Sequence, residues 1–123
     1  MATEKKILIA EDERPLARAL SLKLQKEGIG SDIASDGIEV KQRIDAGGYA
    51  MILMDLMMPH HDGFAVIESM KQKGDTTPVI ILSNLSQDSD RNRAALAGAK
   101  KYFVKSDITL ADIVAYVKET IGA

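Results

Sequence analysis

Met51-Ile52-Leu53-Met54 is an unbroken apolar run that ends directly on an acid, Asp55. Apolarity at every position, rather than at alternate ones, is what a strand shows when helices cover both faces of its sheet. Four further apolar or β-branched runs accompany it: Ile7-Leu8-Ile9-Ala10, Ser31-Asp32-Ile33-Ala34, Val79-Ile80-Ile81-Leu82 and Tyr102-Phe103-Val104. They recur at intervals of about twenty to twenty-five residues with helical patterns between them, which is the rhythm of βαβ units.

The composition of the runs also orders them. The first, third and fourth are apolar throughout, whereas the second is half polar and the fifth is short, so the last two belong at the edges. Order 2-1-3-4-5 satisfies this. Order 3-2-1-4-5 would put Met51–Met54 on an edge. The expected fold is therefore α/β, a doubly wound five-stranded parallel sheet with helices on both faces.

The helices can be bounded in the same way. The first begins at Pro15, carries Leu16, Leu20 and Leu24 on one face and ends at Gly28. Asp36 caps a second that runs to Gly47-Gly48, and Asp62-Gly63 opens a third ending near Gly74. A fourth spans Asp88 to Ala97 and stops at Gly98. The last starts at Thr109, with Asp112 three residues on, and buries Leu110, Ile113, Val114, Val117 and Ile121.

Composition narrows the functions. The 123 residues are expected to form one domain, 1–123, with no effector domain. No apolar run approaches the roughly 18 residues that cross a membrane, so no membrane partner is expected. Absence of cysteine excludes disulfides, thiolate zinc sites and cysteine nucleophiles, and suits a cytoplasmic setting. A formal charge of −2 and only five aromatic residues argue against direct nucleic-acid binding.

The residues that follow each run carry the chemistry. Glu11-Asp12-Glu13 follows the first, Asp55 the third, Ser83 the fourth and Lys105 the fifth. In an open α/β sheet, function sits at the carboxyl edge where the strand order reverses, here between the first and third strands. Carboxylates from Glu11, Asp12 and Asp55 meeting there need a cation or a proton between them. Hard oxygen donors without histidine or cysteine suit Mg²⁺, which keeps positions open for phosphoryl oxygens. Lys105 supplies a movable positive charge and Ser83 a hydroxyl. The set reads as a phosphoryl-transfer site with Asp55 as the nucleophile, since a carboxylate can form an aspartyl-phosphate.

The acidic pair Glu11-Asp12, the segment from Asp55 through Met58-Pro59 to Asp62-Gly63, Ser83, and Ala97-Gly98-Ala99 leading to Tyr102 and Lys105 together resemble a bacterial response-regulator receiver domain over nearly the whole chain. The resemblance implies a flavodoxin-like fold and a phosphorylation-dependent signalling module rather than an enzyme. Its phosphoacceptor would be Asp55, loaded by a histidine kinase or histidine phosphotransfer protein. It further implies Mg²⁺ held by Glu11, Asp12, Asp55 and the backbone carbonyl of Met57, phosphoryl contacts from Ser83 and Lys105, and a rotameric switch at Tyr102 working with Ser83. Two alternatives remain: a degenerate receiver acting only by protein contact, and a phosphohydrolase. The first is disfavoured by the intact Asp55, Ser83 and Lys105. The second needs an acid two residues after the nucleophile, where Met57 stands.

Some positions carry narrower expectations. Met57 and Leu85, two residues beyond Asp55 and Ser83, offer no polar group to orient a hydrolytic water, so the phospho-form should be long-lived. Ser106 stands where the family has proline, and the Lys105–Ser106 bond should be trans. His60-His61 should be exposed loop residues, because no further histidine completes a metal site. Leu22 falls off the buried stripe of the first helix and, with Arg14, Pro15, Arg18 and Ser21, makes a candidate kinase-docking patch.

Overall fold

A computed structural model describes residues 6–122. Five parallel strands, β1 (Lys6–Ala10), β2 (Gly30–Ala34), β3 (Met51–Met54), β4 (Val79–Ser83) and β5 (Lys101–Val104), alternate with α1 (Arg14–Lys26), α2 (Gly37–Ala46), α3 (Gly63–Gln72), α4 (Asp88–Ala97) and α5 (Leu110–Ile121). The sheet order is β2-β1-β3-β4-β5, with the half-polar and short strands at its edges. This is the flavodoxin-like strand order expected from the sequence.

The apolar strands are explained by two cores, one on each face. Leu8, Ala10, Ile52, Met54 and Ile81 pack under α2, α3 and α4, around Val40, Phe64, Ile67 and Ala94. Their neighbours Ile7, Ile9, Met51, Leu53, Ile80 and Leu82 pack under α1 and α5, around Leu20, Leu24, Ile113 and Val117. Successive side chains of one strand thus serve opposite cores, so the runs are apolar at every position up to the residues that end them.

Helix boundaries follow local chemistry. Asp36 accepts from the Glu39 N–H, Asp62 from those of Phe64 and Ala65, and Thr109 from that of Asp112. Gly98 ends α4 in the left-handed region at φ 119°. At the start of α4 the Asp90 carboxylate reaches back and accepts from the Gln87 N–H at 3.2 Å. In α5, Ile113, Val114 and Val117 are buried, whereas Leu110 and Ile121 pack only partly against the same core. Leu22 is exposed, as its place off the stripe requires. No peptide bond among the described residues is cis, so Lys105–Ser106 is trans; Ser106 lies in a single 3₁₀ turn, Lys105–Asp107.

Candidate functional site

The sheet's hydrogen-bond ladder reaches beyond the formal ends of β1 and β3 and fixes the first two acids. The Glu11 N–H donates to the Ala34 carbonyl at 3.0 Å, and the Asp55 N–H to the Ala10 carbonyl at 2.9 Å. Side chains pointing off the carboxyl ends of these strands therefore start from rigid backbone. Glu11 and Asp55 are buried, Asp12 and Glu13 exposed. One oxygen from each of Glu11, Asp12 and Asp55 lies within 4.8 Å of the others, a spacing at which a single hard cation can be shared. Hard oxygen donors of this kind, with no nitrogen or sulfur among them, fit Mg²⁺.

Lys105 enters from the end of β5. Its Nζ donates to Asp55 Oδ2 at 2.9 Å and to Glu13 Oε2 at 2.8 Å, and lies 2.6 Å from Glu11 Oε1. Burial pushes the Glu11 carboxyl above its usual range, more than the contact with Lys105 lowers it. Burial alone would lower the lysine; the hydrogen bonds it donates to the three carboxylates outweigh it and raise Lys105. The centre thus holds its lysine firmly charged while remaining anionic overall, which is a site prepared for a further cation.

Ser83 ends β4 fully buried. Its Oγ accepts from the Leu85 N–H at 3.3 Å, and its hydroxyl also meets that of Tyr102, whose pKa burial raises and this hydrogen bond lowers. The Leu85 carbonyl in turn accepts from the Tyr102 hydroxyl at 2.7 Å, and Arg91 of α4 stands over the Tyr102 ring at 5.8 Å. Leu85 is tied by its own peptide groups to both Ser83 and Tyr102. Its side chain packs against the core under α3 and α4, and Met57 is exposed beside Asp55.

The histidine expectation needs correction at one of its two residues. His60 is exposed, but His61 is half-buried and its Nε2 lies 2.9 Å from the backbone carbonyl of Asp55. Burial lowers its pKa, which favours the neutral ring. The cause is a feature absent from the expected elements: Met57–Met58 and His61–Asp62 pair as a two-residue antiparallel ribbon. Pro59 and His60 (φ 55°) make its turn, with proline and a positive φ at the positions a type II turn favours. The turn folds His61 back over the Asp55 peptide. Two glycines leave room for it: a Cβ on Gly63 would meet Leu56 Cα at 2.9 Å and His61 Nε2 at 3.3 Å, and one on Gly37 would meet the His60 carbonyl oxygen at 1.8 Å. A proline followed by two histidines was the available signal, but it says nothing about a ring reaching back to a backbone carbonyl. The reach of Glu13 to Lys105 was equally invisible, since 92 positions separate them.

A doubly wound sheet whose switch point carries clustered acids, a strand-end serine and a lysine defines a receiver. The chain belongs to the response regulator receiver domain family, whose pattern it matches over residues 7–118. It is 33% identical over 100 residues to the transcriptional regulatory protein DltR of Streptococcus agalactiae serotype III, covering 81% of this chain and 45% of that protein. It is 38% identical over 100 residues to the response regulator ArlR of Staphylococcus saprophyticus, again covering 81% and 45%. The chain therefore spans less than half the length of these curated relatives. Among solved structures, the receiver domain of the Francisella response regulator 1452 superposes with a TM-score of 0.90 at 28% identity, covering 97% of this chain and 98% of that one.

Proposed function

We propose that this receiver is a phosphorylation-controlled switch in which Asp55 accepts a phosphoryl group from a phosphohistidine of a histidine kinase or histidine phosphotransfer protein. The observation that carries the reading is the convergence on Asp55: Lys105 Nζ at 2.9 Å from its Oδ2, within the acidic trio of Glu11, Asp12 and Asp55. In the transfer, an Asp55 oxygen forms the new O–P bond as the N–P bond breaks, and the imidazole nitrogen keeps the electron pair. Glu11, Asp12, Asp55 and the backbone carbonyl of Met57 would hold Mg²⁺, which when bound neutralises charge on the phosphoryl oxygens. Lys105, already on Asp55, follows the group and contacts a phosphoryl oxygen, and Ser83 turns its hydroxyl from Tyr102 to donate to another.

Movement of Ser83 toward the phosphoryl group draws on Leu85, and through the Leu85 carbonyl on Tyr102. The surface altered is that of α4, β5 and α5, by a shift between states rather than by new structure. Met57 and Leu85 hold no water for hydrolysis, so the phospho-form persists.

The test is labelling with acetyl phosphate and Mg²⁺. Wild type is expected to take up one acid-labile, hydroxylamine-sensitive phosphate, and Asp55→Asn none. Labelling of Asp55→Asn at the wild-type rate would overturn the assignment.

A further inference from the structure

Glu13 occupies the N-cap position of α1 in extended backbone (φ −76°, ψ 99°), yet its side chain does not cap the helix. It reaches across the site instead and accepts from Lys105 Nζ at 2.8 Å. Of the three carboxylates on that lysine, Glu11 and Asp55 are buried, whereas the Glu13 side chain is 58% exposed and stands at the rim. It is also outside the trio whose oxygens converge for a cation. A charge at the rim, tethered over the nucleophile but free of the metal cluster, is met first by any donor that approaches Asp55.

We propose that Glu13 is a specificity-determining residue that selects the phosphodonor by charge, disfavouring small dianionic donors against donors whose leaving group is neutral or cationic, as an imidazole is. This rests on the phosphoacceptor reading of Asp55. Four carboxylates against one ammonium leave the centre triply negative, and singly negative with a divalent cation; neutralising Glu13 brings it to zero. Acetyl phosphate arrives as a dianion, its bridging oxygen keeps the electron pair, and it leaves as acetate. Phosphoramidate arrives with its nitrogen protonated; that nitrogen keeps the N–P pair and leaves as ammonia. Only the first donor meets the full repulsion. Across several ångströms of water-like dielectric, one rim charge acting on a dianion changes a rate by about 3- to 10-fold, and salt screens it.

The experiment compares wild type and Glu13→Gln with both donors at saturating Mg²⁺, in low salt and in about 0.5 M KCl. Glu13→Gln is expected to raise the acetyl phosphate rate about 3- to 10-fold and the phosphoramidate rate less than about twofold, with the gap closing in high salt. Mg²⁺ affinity, read from amide shifts of Asp12 and Met57, should fall a few-fold, because a negative charge is lost. A disturbance of structure alone would depress rate and affinity together. Equal changes with both donors, or a gap that ignores salt, overturn the role of Glu13 and leave Asp55 as acceptor. No labelling of wild type by either donor removes both.

Discussion

Replacing Lys105 by methionine removes the charge and keeps most of the side chain's bulk. The lysine side chain is 10% exposed and stands between Glu11 and Asp55, whose side chains are 2% and 8% exposed. Breaking a buried pair by deleting one partner costs about 3–5 kcal/mol. The contact with exposed Glu13 adds little, because solvent screens it. About 3 kcal/mol is therefore expected at pH 8 without divalent metal, a large share of the roughly 5–15 kcal/mol that holds a domain of this size. The sign of its pH dependence follows from Glu11. Burial already raises its folded pKa above the unfolded value of 4.5, and losing the lysine raises it further. A carboxyl raised on folding contributes most below its unfolded pKa and loses that contribution as pH rises through the folded one. The deficit of Lys105→Met should accordingly be small near pH 5 and full at pH 8. Urea denaturation across that range measures it. Added Mg²⁺ should restore more stability to the variant than to wild type, since the competing cation is gone. A deficit below about 1 kcal/mol at every pH, or one that grows as pH falls, would refute the reasoning.

Three further outcomes follow from particular contacts. Gly37→Ala would add about 1 kcal/mol of helix propensity in isolation, but its Cβ would stand 1.8 Å from the His60 carbonyl oxygen. A net loss of about 2 kcal/mol is expected in the urea midpoint, and a gain would show that the ribbon yields. Burial works to raise Asp32, but the Tyr49 hydroxyl at 2.7 Å and Lys6 outweigh it and hold the carboxyl below 3.8. Tyr49→Phe should thus cost about 1 kcal/mol at pH 7, a difference that closes as pH falls through Asp32's folded pKa, and thermal melts at pH 7 and pH 3 check it. Met57→Asn places an amide beside Asp55 and should speed phosphate release from the phospho-form about tenfold or more. Leu85→Glu should do less, because Leu85 packs against the core. Equal decay of wild type and Met57→Asn would remove Met57 from the rate.

What could be read without coordinates was whatever is written locally. Wholly apolar β3 had to be central because each of its side chains serves one of two opposed cores, and the caps at Asp36, Asp62 and Thr109 act within three residues of themselves. Glu11, Asp12, Asp55, Ser83 and Lys105 were legible because the carboxyl ends of parallel strands meet at one edge whatever the loops do. His61 and Glu13 were not. Each makes its contact only after a turn or a helix start has redirected the chain, and neither contact has a periodic signature. The ribbon at Met57–Asp62 was hidden for the same reason, since two-residue strands carry no alternation to read.

The same packing makes α4 the least firmly anchored helix beside the site, which suits the proposed switch. Three residues anchor α1 (Ala17, Leu20, Leu24), and α3 buries Phe64, Val66, Ile67 and Met70. By contrast, α4 buries only Ala94 and Ala97, and its one large apolar side chain, Leu96, is 80% exposed. At roughly 25 cal/mol per Å² of buried apolar surface, two methyl groups hold a helix far less firmly than a set of leucines or a phenylalanine does. Displacing α4 therefore costs less than displacing any helix with a large buried anchor. The loop that leads into it is tied at Leu85 to Ser83 on one side and to Tyr102 on the other. A hydrogen bond gained by Ser83 needs to offset only that weak anchorage. Elements of low local stability are where conformational change concentrates, and here that element directly follows the site.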